Sequence, residues 1–441
     1  MKGLNGTVLA LISLSSLSSG TTDSIDVRNF GAKGDGHIDD TKSIMAAFAA
    51  ARQKGTADAP AEVLFPAGGI FLTRPFNVSS YTTVRVEGTI RGMTGNFSGA
   101  ASSDSVLSSW PQLPPLPTYG SDRDVGARTR YQALVFAHGA TNVRIVGSGT
   151  IDGGGPWWWG MHQNRSLHVG RPHLVELYNV TRAEVADVTL RDSPFWTLHP
   201  YGCCGVHVHN ITIRAHQYAP NCDGIDPDSS QDVLIEDNDI SVGDDHIAIK
   251  AGLNELARTS YPRFVSRNIT VRRNRLRVGM GISLGSESSG GIERVLVADN
   301  VIADPDPGWS IGLHIKTALA RGGVLQDVMF FNNTVANTTG FINLQTNYQG
   351  GDRPPSGYAA TRVRNISFVG NRYVSNTHKT HGGWTCSVND TCSAITVVNN
   401  TMLGGGGWSC HFVDSYVVFG NEPAGLEQCM EQSMPRAPKR Q

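Results

Sequence analysis

Three aspartates are the residues of this sequence best suited to chemistry. Asp223 lies in an Asn-Cys-Asp-Gly turn, whereas Asp244 and Asp245 directly follow Gly243. The two groups are too far apart in sequence for one helix face or one hairpin to unite them. A chain that coils with a period near their separation would place all three on neighbouring coils. Carboxylates held that close cannot all ionise freely, so one keeps its proton to higher pH, as acid–base catalysis requires.

A short segment of apolar residues recurs along the second half of the chain. Each copy reads apolar-x-apolar, with an asparagine five places after the first apolar residue. The copies begin at Val233, Ile269, Val295, Val328, Ile366 and Ile395, with asparagines at Asn238, Asn274, Asn300, Asn333, Asn371 and Asn400. Upstream, Val188 and Ile211 keep the apolar part without the asparagine. Segments rich in Val, Ile and Thr with period two favour strands over helices, and a base unit of about 22 residues is typical of a solenoid.

We therefore predict an all-β fold, a single-stranded right-handed parallel β-helix with one strand per coil and coils ~4.8 Å apart. The asparagines would stack into a ladder whose amides hydrogen-bond from coil to coil. Residues 21–405 are assigned to this domain and residues 406–441 to a C-terminal cap and tail. An Ala-rich segment from near Thr41 is predicted as a helix that plugs the N-terminal end, with Asp39 and Asp40 in its N-cap and first turn.

The net charge and the N-terminal residues indicate where the protein is located and which partners it binds. A net charge of -1 over 441 residues gives no basic face for nucleic acid. The apolar run Val8 to Leu17 within residues 1–20 resembles a secretory signal peptide and is too short to span a bilayer. We expect a secreted monomer in the extracellular space or cell wall, with no membrane or nucleic-acid partner. Sequons that agree with secretion include Asn77, Asn96, Asn164, Asn179, Asn337 and Asn389.

The seven cysteines show no paired spacing suited to zinc. Cys203 or Cys204 lies about one coil before Cys222, so stacking would bring them within disulfide reach. The four C-terminal cysteines would pair locally, and one thiol would stay free.

Two segments outside the repeat flank the predicted cleft. Residues from Ser98 to Arg130 are rich in Ser, Pro and Gly, and we interpret them as an extended loop that walls the cleft. Trp157 to Trp159 form an aromatic cluster. The cluster either presents a sugar-binding face or packs the flank of the early coils.

An ordered set of motifs resembles glycoside hydrolase family 28, the polygalacturonase and pectin-hydrolase family. The set is FGAKGDGHIDDT, GSGTIDGGGPWW, SPFWTLHP, NCDGID, GDD, GISLGSE, GLHIK and Tyr348, spread over roughly residues 25–400. The resemblance implies a right-handed parallel β-helix and inverting hydrolysis of glycosidic bonds in pectin, with no metal or cofactor. It also implies that Asp244 is the acid, while Asp223 and Asp245 position and deprotonate water. An inverting enzyme holds its two carboxyl groups ~6.5–9.5 Å apart.

Two positions depart from the family pattern. The family's Gly-His-Gly is Gly-Met-Gly here, and Met280 neither titrates nor donates a hydrogen bond. The family's Arg-Ile-Lys is His-Ile-Lys, so His314 replaces a permanent cation, whereas Lys316 keeps a point charge for a substrate carboxylate. His246, directly after the aspartate pair, is a candidate substitute for the missing histidine.

The predicted activity is hydrolysis of pectic polysaccharide. We expect the substrate to be contacted by Lys316, His314, Tyr348, Asn221, His246 and Glu287, while Arg321 and Gln345 are open to a structural or a cleft role. The insertion Ala251–Arg267 and the GISLGSESSGG form favour exo-action. The alternatives are a β-helix that binds polysaccharide without cleaving it, a rhamnogalacturonan or xylogalacturonan hydrolase, and a calcium-dependent lyase. The lyase would need a carboxylate cluster for calcium.

Overall fold

The computed structural model describes residues 24–95, 103–120, 129–303, 310–348, 360–374, 381–386, 391–404, 407–411, 413–421 and 426–433. The predicted signal peptide and the sequons at Asn96 and Asn389 lie outside these residues. Within them, no helix has the length and apolar character needed to cross a bilayer.

The chain winds into a right-handed parallel β-helix whose coils contribute strands to three long sheets. Among the described residues, sheet 1 has 13 strands. They are Ile25–Asp26, Ala61–Phe65, Thr82–Val86, Thr141–Val146, Thr181–Ala186, Cys204–His209, Gln231–Glu236, Ser266–Arg272, Ile292–Ala298, Val324–Phe331, Arg362–Val369, Cys392–Val398 and Tyr416–Phe419.

The described part of the chain contributes 12 strands to sheet 2, most of them only three or four residues long. They are Asp35–Asp39, Ile70–Thr73, Thr89–Gly92, Thr150–Asp152, Thr189–Arg191, Thr212–Arg214, Asp239–Ser241, Arg275–Leu276, Val301–Ala303, Thr334–Ala336, Arg372–Val374 and Thr401–Leu403.

Sheet 3 is formed by a four-stranded and a six-stranded part. Isolated bridges at Ile225 and Asp228 join the two parts. The strands are Phe76–Val78, Val135–His138, Val175–Tyr178 and Leu198–Tyr201, then Ile247–Ile249, Ile282–Leu284, Ile311–Lys316, Gly340–Gln345, His381–Thr385 and Gly407–His411.

The predicted fold class is confirmed, but a full coil carries three strands rather than one. Most strands of sheet 1 have five to eight residues with alternating burial, so they show period two in the sequence. Strands of sheet 2 mostly have three or four residues, and several strands of sheet 3, such as Leu198–Tyr201 and Ile311–Lys316, are buried at nearly every position. The repeat therefore marked one strand of each coil.

The asparagine-bearing repeats align in register within sheet 1. Val233 pairs with Ile269, and the same column continues through the later repeats. Upstream the alignment predicted from sequence is wrong by five residues, because Val206 and not Ile211 pairs with Val233. Ile211 occupies the place that the asparagines take later, and its backbone N–H donates to Asn238 Oδ1 at 3.0 Å.

The asparagine ladder is confirmed and gains a seventh member, Asn421. In the first six members the side-chain Nδ2 donates to the Oδ1 of the asparagine in the next coil, at 2.8–3.0 Å. Each Oδ1 also accepts a backbone N–H from the preceding coil. Asn421 escaped the sequence pattern because its repeat opens with Tyr416, which pairs with Ile395.

The N-terminal end is closed by the predicted helix, Thr41–Lys54. Phe48 from this helix stacks on Phe76 of the first strand of sheet 3, with centroids 4.8 Å apart. Asp40 occupies the predicted N-cap position, but its carboxylate accepts backbone N–H groups of the preceding turn and not of the helix. Asp39 instead accepts from the Thr41 N–H at 3.0 Å.

The remaining helices and one antiparallel pair lie outside the sheets. They are the 3-10 helix Val27–Phe30, the helices Ser103–Ser109, Gly155–Gln163, Glu255–Thr259 and Leu426–Ser433, and the pair Gln112–Leu113 with Arg130–Tyr131. Gly155–Gln163 carries the tryptophan cluster. Trp158 is fully buried and contacts Trp110 and Trp157 edge-on, so the cluster packs the flank of the coils.

The C-terminal coil extends past the predicted boundary at residue 405, because its strands continue sheets 3 and 1. Disulfides Cys386–Cys392 and Cys410–Cys429 join the four C-terminal cysteines. Cys203, Cys204 and Cys222 are free, so the predicted upstream disulfide is wrong. Cys204 belongs to sheet 1 and Cys222 precedes sheet 3, and stacking does not align residues of different sheets.

We predict that Asn300→Ala lowers the free energy of unfolding by about 1–3 kcal/mol, because it leaves buried partners in both neighbouring coils without hydrogen bonds. Denaturant titration followed by circular dichroism measures the change. Asn29→Ala, at an exposed position, is the matched control. Equal stability of the two variants would contradict a stabilising ladder.

Candidate active site

Asp223 and Asp245 occupy equivalent places in adjacent coils of sheet 3. Each lies two residues before the strand position where Ile225 pairs with Ile247. The Gly224 N–H donates to the Asp245 carbonyl at 2.9 Å and fixes the two coils against each other. The coil-to-coil arrangement predicted from the sequence is therefore present.

Asp244 joins them because the backbone bends at Gly243. A side chain at position 243 would place its Cβ 2.3 Å from the carbonyl oxygen of Ala219, so only glycine fits. On a straight strand Asp244 and Asp245 would point to opposite faces. The bend instead lets both side chains reach the same cavity.

A cavity of about 140 Å³ on the outer face of sheet 3 is lined by all three aspartates. Its other lining residues are Phe195, Trp196, Asn221, Lys250, Leu253, Ser286, Glu287, Lys316, Arg321 and Tyr348. Four predicted contact residues, Asn221, Glu287, Lys316 and Tyr348, are thus brought together. Arg321, which the sequence left open, lines the cavity too.

Asp245 is held as a carboxylate. Its Oδ2 accepts from Lys316 Nζ at 2.6 Å and its Oδ1 from the Ser283 hydroxyl at 2.8 Å. Burial pushes its pKa up, but Lys316, Lys250 and these hydrogen bonds outweigh burial and bring the pKa below its ordinary value.

Asp223 is paired with Lys250. The Lys250 ammonium donates to Asp223 Oδ2 at 3.1 Å and to Glu287 Oε2 at 3.4 Å. It also lies 4.2 Å from the centroid of the Trp196 ring, a favourable cation–π distance. Burial nevertheless raises the pKa of Asp223, and repulsion from Asp245 adds to it.

Among the described residues, no cationic side chain forms an ion pair with Asp244. Its Oδ1 accepts the Asp245 backbone N–H at 3.0 Å. Burial, followed by repulsion from Asp223 and Asp245, raises the pKa of Asp244 to about 8. At neutral pH the cavity therefore holds a protonated carboxyl group beside an ionised one, the pairing required of a general acid and a general base.

The two histidines predicted to contact substrate do not line the cavity. His246 is fully buried, its Nδ1 accepts the Gly281 N–H at 2.9 Å, and burial lowers its pKa to about 4. Its Nε2 faces Gly279, so it does not substitute for the missing histidine. His314 is 3% exposed, and burial and Lys316 lower its pKa to about 3. Both rings are neutral at pH 7.

Sequence reasoning missed Lys250. The available signal was the alternation of side chains along the strand. Ile247 and Ile249 point into the core, so Lys250 points outward beside the aspartates. Two aspartates that follow Asp223 in the chain, Asp226 and Asp228, lie outside the lining. Asp228 accepts from the Tyr119 and Ser229 hydroxyls. Among the described residues neither oxygen of Asp226 has a hydrogen-bond partner, and burial, with repulsion from Asp223, raises its pKa well above the ordinary value.

Residues 110–131, as far as they are described, cover sheet 3 on the N-terminal side of the cavity. Arg130 Nη1 donates to both carboxylate oxygens of Glu176, at 2.9 and 2.7 Å. The Thr118 and Tyr201 hydroxyls lie 2.9 Å apart. Glu176 is fully buried and Tyr201 2% exposed, so this part of the outer face is filled with protein.

The insertion after Lys250 is hydrogen-bonded to the residues that cover this part of sheet 3. The Leu253 N–H donates to the Thr118 carbonyl at 2.8 Å, and Asn254 Nδ2 donates to the Pro117 carbonyl at 2.9 Å. On its other side Arg258 donates to the Ala320 carbonyl at 3.1 Å. Residues 110–120, 251–258 and 318–321 are therefore joined by hydrogen bonds into one wall, of which Leu253 and Arg321 line the cavity.

Fold and site define a right-handed parallel β-helix that carries acid–base carboxylates on the outer face of one sheet. The family model described as Glycosyl hydrolases family 28 matches residues 59–418. The chain belongs to this family.

Relatives and solved structures agree with this assignment. A "Probable polygalacturonase" of Vitis vinifera is 35% identical over 328 residues, which cover 73% of this chain and 62% of the relative. An "Endo-polygalacturonase" of Pectobacterium carotovorum subsp. carotovorum is 29% identical, over 64% of this chain and 66% of the relative. The chain thus spans less than two thirds of these relatives' length.

Two solved structures share the fold. An exopolygalacturonase from Thermotoga maritima has a TM-score of 0.70 at 24% identity, covering 88% of this chain and 89% of its own. The polygalacturonase from Erwinia carotovora ssp. carotovora has a TM-score of 0.68 at 23% identity, covering 91% and 99%.

We predict that Asp244→Asn stabilises the fold at pH 7 by more than about 1 kcal/mol. A carboxyl whose pKa is raised by folding contributes stability that is full below its unfolded value near 4 and is lost as pH rises towards about 8. Asparagine has no proton to lose. Between pH 4 and 8 the Tm of the variant should therefore decline less with rising pH than the Tm of the wild type. Exposed Asp187→Asn is the control. Parallel curves for wild type and Asp244→Asn would contradict the raised pKa.

Proposed function

We propose that this protein is an inverting glycoside hydrolase that cleaves pectic polysaccharide. The observation that carries the proposal is the pairing of protonated Asp244 with ionised Asp245 in one cavity. Family membership and the names of the relatives agree with it.

In the proposed reaction Asp244 donates its proton to the oxygen of the leaving sugar. Asp245, with Asp223, orients a water molecule on the opposite face of the sugar and accepts its proton as the water oxygen bonds to the anomeric carbon. The reaction moves one proton from Asp244 to the leaving sugar and one proton from the water to Asp245. Proton exchange with solvent then restores the starting protonation of both carboxyl groups.

Met280 replaces the family histidine, so other groups set the pKa of the acid, Asp244. The Met280 N–H donates to the Asp244 carbonyl at 2.9 Å, so the backbone of this residue contacts the backbone of the acid. Burial and the two neighbouring carboxylates raise the pKa of Asp244 without a histidine. The substitution is therefore compatible with catalysis.

We predict that Asp244→Asn lowers the rate of reducing-sugar release from polygalacturonate by at least about 100-fold, because the general acid is lost. Wild-type activity should fall as pH rises through about 8 and should be insensitive to chelator. NMR of the first-formed product should show inverted anomeric configuration. Asp187→Asn is the matched control.

Other outcomes of that assay would contradict the proposal in distinguishable ways. Binding of the polymer without sugar release identifies a binding β-helix. Chelator-sensitive formation of an unsaturated, ultraviolet-absorbing product identifies a lyase. Parallel assays on rhamnogalacturonan and xylogalacturonan show whether another pectic polymer is the preferred substrate.

We further infer exo-action, supported by the wall along the cavity and the filled outer face of sheet 3 on its N-terminal side. A polymer chain lying along sheet 3 would meet Tyr119, Glu176 and their neighbours soon after passing the aspartates. One chain end would therefore have to enter the cavity.

We predict that digestion of size-defined oligogalacturonides labelled at the reducing end yields short products of constant length, with labelled chains that shorten stepwise. Chromatography of the early products measures this, because a closed groove places only a chain end across the aspartates. A rapid fall in polymer viscosity with a broad mixture of early products would contradict exo-action.

A further inference from the structure

Two histidines and a glutamate meet beneath the residues that cover sheet 3. Glu176 on the strand Val175–Tyr178 pairs in register with His199 on the strand Leu198–Tyr201, and His173 precedes the first of these strands. The exposed fraction is 4% for His173 and 0% for Glu176 and His199. Each side chain offers an atom able to bind a metal ion, and the three atoms lie within 4.8 Å of one another.

The histidine nitrogens of this cluster lack hydrogen-bond partners within the described residues. They are Nδ1 of His173 and both Nδ1 and Nε2 of His199. A buried imidazole with unpaired nitrogens is costly, because water no longer solvates them. A ligand that binds these nitrogens would remove that cost.

The distances within the cluster fit a shared metal ion better than hydrogen bonds. Glu176 Oε1 lies 3.5 Å from His173 Nδ1 and 3.6 Å from His199 Nδ1. A hydrogen bond from a protonated histidine to a carboxylate would be about 2.7–2.9 Å long. Nitrogen and oxygen ligands at ~2.0–2.1 Å from a tetrahedral Zn²⁺ are instead separated by about 3.4 Å. The three atoms therefore have the spacing of ligands around one ion.

Glu176 can bind a metal ion and Arg130 at the same time. Arg130 Nη1 lies 2.9 Å from Glu176 Oε1 and 2.7 Å from Oε2. Each carboxylate oxygen has a second acceptor position, so Oε1 can still face both histidines. Carboxylates that bind metals commonly accept such a hydrogen bond from an outer residue.

His199 also has the outer partner that is usual for a metal-bound histidine. Its Nε2 lies 3.5 Å from Asp228 Oδ2, so a His199 that binds metal through Nδ1 would present its Nε2 hydrogen to a carboxylate. With neutral histidines, Glu176 and Asp228 outweigh Arg130 by one negative charge, which attracts a cation.

We propose that His173, Glu176 and His199 form a structural site for a divalent transition metal, of which Zn²⁺ is the best match. Two imidazoles and a carboxylate suit Zn²⁺ better than Mg²⁺ or Ca²⁺, which prefer oxygen ligands. Glu176 Oε2 or a water molecule would complete the four ligands that Zn²⁺ usually takes. The inference does not depend on the proposed hydrolase activity.

The ion would support one side of the active-site cavity. The His173 ring lies 5.5 Å from the Trp196 ring, centroid to centroid, and is nearly parallel to it at 9°. Trp196 lines the cavity and has the Lys250 ammonium over its face. A metal ion that fixes His173 would therefore hold Trp196 in place. Because its ligands are buried, the ion would bind as the chain folds, and chelator added to the folded protein would leave it in place.

Metal analysis of the purified chain tests the site. Mass spectrometry of the elements should find about one zinc per chain after dialysis against chelator, and unfolding in guanidinium chloride should release it. Fewer than about one zinc in ten chains, both after expression with added Zn²⁺ and after refolding with Zn²⁺, would overturn the proposal.

A ligand variant locates the metal. His199→Phe should lower the zinc content at least about tenfold. His207→Phe is the matched control, because it removes a sheet 1 histidine that also faces a carboxylate, with Nε2 3.0 Å from Glu236 Oε1, and it should keep its zinc. Undiminished zinc in His199→Phe would place the metal elsewhere and overturn the site.

Refolding of the wild-type chain with Co²⁺ keeps the test decisive if His199→Phe does not fold. Cobalt bound by the proposed ligands should give the visible absorption of a tetrahedral complex without a thiolate charge-transfer band. Such a band would assign the metal to the free cysteines, and it or an absence of bound cobalt would overturn the proposal. The Tm should be higher after refolding with Zn²⁺ than after refolding with chelator, and equal values would overturn the structural role.

Discussion

The hydrogen-bonded register between coils is the constraint on which the rest of the structure depends. Parallel pairing places residues from distant parts of the chain side by side, and a slip by one residue would turn every side chain to the opposite face. The buried asparagine ladder opposes such a slip, since each amide bonds to the next coil at a single position. Asp223 and Asp245 meet because their coils keep this register.

Buried charge then determines the protonation of the site. Ionised groups removed from water are costly unless they are paired. Lys316 pairs with Asp245 and Lys250 with Asp223, which leaves Asp244 as the carboxyl group that meets this cost by keeping its proton. The chemistry of the cavity thus follows from the placement of two lysines as much as from three aspartates. The neutral side chain of Met280 is consistent with this division of charge.

The insertions between coils shape the cavity without disturbing the core. In a solenoid each coil contacts mainly its neighbours, so extra residues at a turn are accommodated on the outside. Here residues 110–120 and 251–258 bond to each other and cover part of sheet 3. The Arg130–Glu176 ion pair fixes the cover from beneath. The same coils that form a continuous apolar core therefore support a surface that is closed along one side.

Local sequence pattern was sufficient for the parts of this protein that repeat or follow a short-range rule. The asparagine repeats predicted the ladder, and the Ala-rich segment predicted the capping helix. The position of Asn221, Glu287, Lys316 and Tyr348 in the lining followed from the family motifs. Strand alternation would also have revealed Lys250.

Tertiary structure alone decided which side chains are buried and with what they pair. His246 and His314 are neutral and outside the lining because neighbouring coils bury them. Cys204 and Cys222 remain apart because their coils place them in different sheets. None of these outcomes is encoded by a residue's type or its spacing, since burial and charge pairing depend on contacts between coils that are remote in sequence.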